Sequence, residues 1–160
     1  MTALCAGCEQ RSRQPAAQLT FLGLSKNHGK HFVSFSTPTN LFNIYELENP
    51  ASQSSPALVC SFNGDMNFSY DHEIQARSEG FVVPTSQPTV YRSNLLFSFT
   101  SPNGQPAELN SFEYFTPLLM ARPNIACKVI VTSWGFKPYF SQTLNIPSTL
   151  MLELLNQADH

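Results

Sequence analysis

The feature that most constrains this chain is a succession of short runs in which every second residue is apolar, separated by clusters of Gly, Pro, Asn, Asp and Ser. A period of two puts alternate side chains on opposite faces of a strand, and frequent turn clusters leave no room for long helices. The runs are Leu19–Leu24, His31–Ser36, Leu41–Leu47, Leu58–Phe62, Met66–Tyr70, Val90–Thr100, Phe112–Phe115, Ile125–Trp134 and Phe136–Phe140. Asn63-Gly64 is read as the turn of a hairpin joining Leu58–Phe62 to Met66–Tyr70, because both residues tolerate positive φ. Ser101-Pro102-Asn103-Gly104 is read as a second hairpin turn, leading into Phe112–Phe115. Pro138 marks Phe136–Phe140 as an edge strand or a bulge.

Helix is expected at two places only. Asp71–Arg77 has room for one turn, and Ser148 would cap a C-terminal helix with Leu150, Met151, Leu154 and Leu155 on one face. The fold class is therefore all-β or mainly β: a single antiparallel β-sandwich or jelly-roll-like domain with a short C-terminal helix. Residues 1–17 show no sustained period and are expected to form a flexible arm before a single domain over 18–160.

Composition narrows the function classes. The chain has 160 residues, of which 42% are hydrophobic and 12% charged, so it holds enough apolar material for a core and is not disordered by composition. Ser, Thr, Asn and Gln supply the polarity that charges normally would. A formal net charge of -2 offers no field for phosphates, which disfavours nucleic acid as a partner. No apolar run reaches the roughly 18–20 residues of a membrane-spanning helix. The N-terminal residues lack the charged and apolar regions of a signal peptide, so an intracellular location in cytoplasm or nucleus is expected. On that expectation Cys5, Cys8, Cys60 and Cys127 are free thiols or metal ligands rather than disulfides, and the sequon Asn67-Phe68-Ser69 is set aside.

Two patterns carry potential chemistry. Cys5-x2-Cys8 and His28-x2-His31 supply four ligands of the types zinc prefers, in two close pairs, although the spacing departs from that of a zinc finger. No other cofactor is expected. Ser69-Tyr70-Asp71-His72-Glu73 gathers a hydroxyl, an imidazole and two carboxylates, but adjacent residues diverge and cannot form a triad among themselves. The run reads better as a polar loop, and Cys60 and Cys127 as small buried core residues. Phosphate-binding loops, nucleophile elbows and zinc-protease helices are missing from the sequence.

The 13 Phe, with Tyr and Trp, raise the expectation of aromatics beyond what one core needs, and interfaces favour such residues over Lys and Glu. Trp134, Phe136, Tyr139 and Phe140 are the expected interaction surface. The leading functional expectation is a non-enzymatic protein acting by association, as an oligomer subunit or a partner-docking module. Its Ser/Thr/Asn/Pro/Phe balance is also that of small viral structural or accessory proteins. The alternatives are a zinc-stabilised adaptor using Cys5, Cys8, His28 and His31, and a small hydrolase using His72 or a cysteine.

Overall fold

In the computed structural model, which describes residues 10–101, 103–107 and 112–158, the first two strands form a tight hairpin. β1 (Thr20–Asn27) and β2 (Lys30–Ser36) are joined by His28 and Gly29, whose φ values are 49° and 76°. Two successive positive φ values define the type I′ turn that matches the twist of a two-residue hairpin, and His adopts them more readily than most residues.

The remaining strands are β3 (Ala57–Ser61), β4 (Ala76–Pro84), β5 (Val90–Asn94), β6 (Leu96–Thr100), β7 (Pro106–Ala107), β8 (Asn124–Val131), β9 (Tyr139–Phe140) and β10 (Leu144–Pro147). All pairings between these strands are antiparallel, and the main path runs β1-β2-β5-β4-β3-β8-β10. The fold is thus mainly β, as expected. The sheet curls until its end strands, β1 and β10, touch. Helices α1 (Phe115–Met120) and α2 (Ser148–Asn156) pack against each other, and α2 also packs on β1 and β10.

β4 makes the curl possible. Its first half pairs with β6 and its second half with β5, while β3 lies along its other edge. At the changeover, a Cβ on Gly80 would stand 1.7 Å from the carbonyl oxygen of Asn94, so only glycine allows this approach of two backbones. A strand shared by two halves is one way a sheet turns a corner, and the arrangement is compatible with the expected sandwich.

The core fills the inside of the curl. Val33 and Phe35 from β2, Leu58 from β3, Ile125, Val129 and Val131 from β8, and Met151 and Leu154 from α2 are buried. Phe62, Phe97, Phe112 and Phe115 pack edge-on or tilted around one another, with His31 edge-on to Phe97 and Phe112. A smaller cluster of Val59, Phe68 and Ile74 covers the opposite face of β3 and β8.

Several local expectations are corrected. Leu41–Asn43 is a 3-10 turn rather than a strand, capped by Asn40, with Leu41, Ile44 and Tyr45 turned inward. Asn63-Gly64 does not close a hairpin; β3 pairs with β4, and the segment between them forms a long loop. The Ser101–Gly104 turn exists, but its returning strand is Pro106–Ala107, and Phe112–Phe115 is helical. Asp71–Arg77 forms no helix, since β4 begins at Ala76. The C-terminal helix is present, yet Ser148 is buried and makes no side-chain cap.

Of the arm expected over residues 1–17, residues 1–9 lie outside the described residues, and 10–17 makes specific contacts with the domain. Gln10 donates its N–H to Gly135 O and accepts from Lys137 N, the Ser12 hydroxyl donates to Ile44 O, and Ala17 is buried.

Candidate interaction surface

Trp134 stands on the turn Ser133–Phe136, closed by a hydrogen bond from Phe136 N to Ser133 O at 3.1 Å. Gly135, third in the turn, has φ 80°, the conformation that position demands in a type II turn. The indole is thereby pushed off the sheet and is 96% exposed.

The turn is braced at its base. The Tyr45 hydroxyl lies 2.8 Å from Val131 O and 2.9 Å from Lys137 O, and its ring packs on Phe136 with centroids 4.6 Å apart. The Gln10 backbone pairs with the far side of the turn. Burial pushes the Tyr45 hydroxyl above the ordinary phenol range, so it stays protonated and keeps its donor. The exposed indole is therefore carried by a fixed backbone, which lowers the ordering cost of binding.

A cleft of about 790 Å3 opens beside Trp134, lined among others by Gln53, Tyr70, Thr132, Phe136 and Pro138. Tyr70, 86% exposed, also borders a groove of about 350 Å3 on the outer face of β3, β4 and β8, with Phe68, Ile74 and Phe81. Phe81 is 69% exposed. Tyr70, Phe81 and Trp134 thus stand around adjoining concavities, and the nearby charges are modest. Arg77 approaches Glu73 and Glu79 only at 4.0 and 3.9 Å, pairs of little energetic weight in water.

The expected surface residues are placed unequally. Trp134 is exposed, while Phe136 and Phe140 are half-buried. Tyr139 is buried, and its hydroxyl accepts from Ala17 N at 2.7 Å and donates to Pro15 O at 2.8 Å. It fastens the N-terminal segment instead of facing outward, and burial raises its phenol in the same direction as that of Tyr45. Tyr70 and Phe81 were not among the expected surface residues.

Of the four expected zinc ligands, Cys5 and Cys8 lie outside the described residues. His28 is exposed at the hairpin tip, whereas His31 is buried against Phe97 and Phe112. Among the described residues, no group of three or more His, Cys, Asp or Glu side chains gathers.

Cys60 and Cys127 are buried as expected but are not free thiols. They face each other in register on β3 and β8 and form a disulfide.

His72 does find a carboxylate, and it comes from outside the run that singled it out. Its Nε2 lies 2.6 Å from Asp65 Oδ2. That hydrogen bond, and then the Asn67 N–H, hold the Asp65 carboxyl below the usual carboxylate range. A hydrolase would need a nucleophile on the other ring nitrogen. The nearby Ser69 hydroxyl donates instead to Asn67 Oδ1. Asp65 and His72 tie the two ends of a loop.

Comparison of the chain with protein-family models, with characterised proteins and with solved structures finds no match. No helix among the described residues is long and apolar enough to cross a membrane.

Proposed function

We propose that this is a binding protein, not an enzyme, and that it docks another protein chain against the Tyr70–Trp134 surface. The observation that carries the reading is Trp134, fully displayed on a braced turn beside a cleft. With Tyr70 and Phe81 exposed around the adjoining concavities, Trp134 makes an aromatic patch of the residue types that dominate interface energetics. The low charge of the chain favours the same reading, since little on such a surface opposes close approach. A role as an oligomer subunit and a role as a docking module are two forms of this reading, and the compositional analogy with viral structural or accessory proteins is consistent with either.

The disulfide supports an oxidising compartment as the place of folding, in place of the intracellular location expected from the N-terminal residues.

The test is native mass spectrometry of the untagged, oxidised chain and of complexes purified from its own cells, for the wild type and Trp134→Ala. A defined oligomer or stoichiometric complex that the variant loses, with unchanged thermal unfolding, supports the proposal. Equal assembly in both chains, or a wild type that never associates, refutes it.

A further inference from the structure

We infer that Asn67 is an acceptor for an N-linked glycan. The sequon Asn67-Phe68-Ser69 carries weight only for a chain that passes through an oxidising secretory compartment. The Cys60–Cys127 disulfide, buried in the core between two strands, is the kind of bond that such passage favours.

The local geometry presents the site outward. Phe68 is buried in the cluster with Val59 and Ile74, with Lys128 Nζ 5.7 Å from its ring centre. The residues on either side are therefore directed to solvent, and both Asn67 and Ser69 are exposed. Asp65 Oδ1 accepts from Asn67 N at 2.9 Å. Asn67 Oδ1 accepts from both Ser69 N, at 3.1 Å, and the Ser69 hydroxyl, at 2.5 Å. The amide oxygen is thus turned to the hydroxyl that defines the motif, and Nδ2 has no partner among the described residues.

The co-reactant is an oligosaccharide on a polyprenyl diphosphate, delivered by an oligosaccharyl transferase. Asn67 Nδ2 forms a bond to the anomeric carbon of the first sugar as that carbon's bond to the diphosphate oxygen breaks. The electron pair leaves with the polyprenyl diphosphate, and one amide proton passes to a base of the transferase. Seated at the loop's surface, the glycan would border the groove that Phe68 and Ser69 help to line.

The experiment is secretion of the full chain, fused to a cleavable signal sequence, from eukaryotic cells. A second sequon appended at the C-terminus reports exposure to the transferase. Enzymatic glycan removal in heavy-oxygen water, followed by peptide mass analysis, locates the modified asparagine. We expect Asn67 to be occupied in chains whose Cys60–Cys127 disulfide is closed, Asn67→Gln and Ser69→Ala to abolish occupancy, and Ser69→Thr to retain it. An occupied reporter with a bare Asn67 would overturn the proposal, and so would secreted chains with free Cys60 and Cys127 thiols.

Discussion

At the scale of single residues, Gly80 is the position where substitution has the least room. A Cβ there meets backbone, which cannot swing away as a side-chain tip could. Gly80→Ala should therefore cost about 3 kcal/mol, the upper end of the usual overpacking penalty, read as a fall in the urea midpoint without a change in slope. The Asp65–His72 pair makes a different kind of demand. Asp65 titrates below its unfolded value of about 3.9, so its contribution is complete above that pH and disappears as pH falls through the lower folded value. Protection of the 62–72 loop amides, taken relative to their intrinsic exchange rates at each pH, should fall over that acid window, and Asp65→Asn should remove that fall. The buried phenols of Tyr45 and Tyr139 act at the other extreme. Their folded values lie above the unfolded value of about 10, so what they contribute is complete below pH 10 and is lost as pH rises further. None of these roles was legible in the sequence. Gly80 sits in a strand whose inward residues Ala76, Ser78 and Gly80 are small, with Val82 alone a larger apolar side chain facing in, while Phe81 and Val83 point outward. A search for buried alternation passes over such a strand.

At the scale of elements, β2, β3 and β8 were legible as strands from short apolar runs bounded by turn residues, with alternation in β2 and β3 and β-branched residues in β8. The partners of those strands did not follow. Asn63-Gly64 signals a tight hairpin, but Arg122 donates to Phe62 O and Asn63 O and holds that turn against α1, sending the chain into a loop before β4. With the pairing of β3 and β8 unknown, the alignment of Cys60 with Cys127 was equally hidden. The disulfide closes a long loop, and reduction should lower stability by roughly 2–5 kcal/mol, measured as the difference between oxidised and reduced denaturation curves. Identical curves would show the bond to be dispensable. The N-terminal segment is an element of the same kind, held by few but specific contacts. Tyr139→Phe removes the acceptor of Ala17 N and the donor to Pro15 O, and should cost about 1–3 kcal/mol while exposing 10–17 to limited proteolysis.

For the molecule as a whole, the aromatic excess resolves into two populations. Phe35, Phe62 and Phe115 are core, and Phe97 and Phe112 join Phe62 and Phe115 in a ring cluster that also takes in His31. Trp134, Tyr70 and Phe81 are displayed around adjoining concavities. The sequence revealed the excess and pointed to Trp134. It could not separate Trp134 from Tyr139, because a turn and a strand end lie only a few residues apart and the burial of Tyr139 depends on the docking of a distant segment. Trp134→Ala should leave stability within about 0.5 kcal/mol of wild type while weakening association by about 2 kcal/mol or more, roughly thirtyfold in dissociation constant.

The most direct test places a photo-crosslinking amino acid at position 134 of the full chain, in its own cells, with the same probe at the exposed Leu22 as comparison. Irradiation should join position 134 to one protein species, a second copy of this chain or a single partner, through one mapped segment that Leu22 does not reach. No discrete adduct from position 134, or the same adducts from both positions, would contradict the assignment of the Tyr70–Trp134 surface as the place where this protein works.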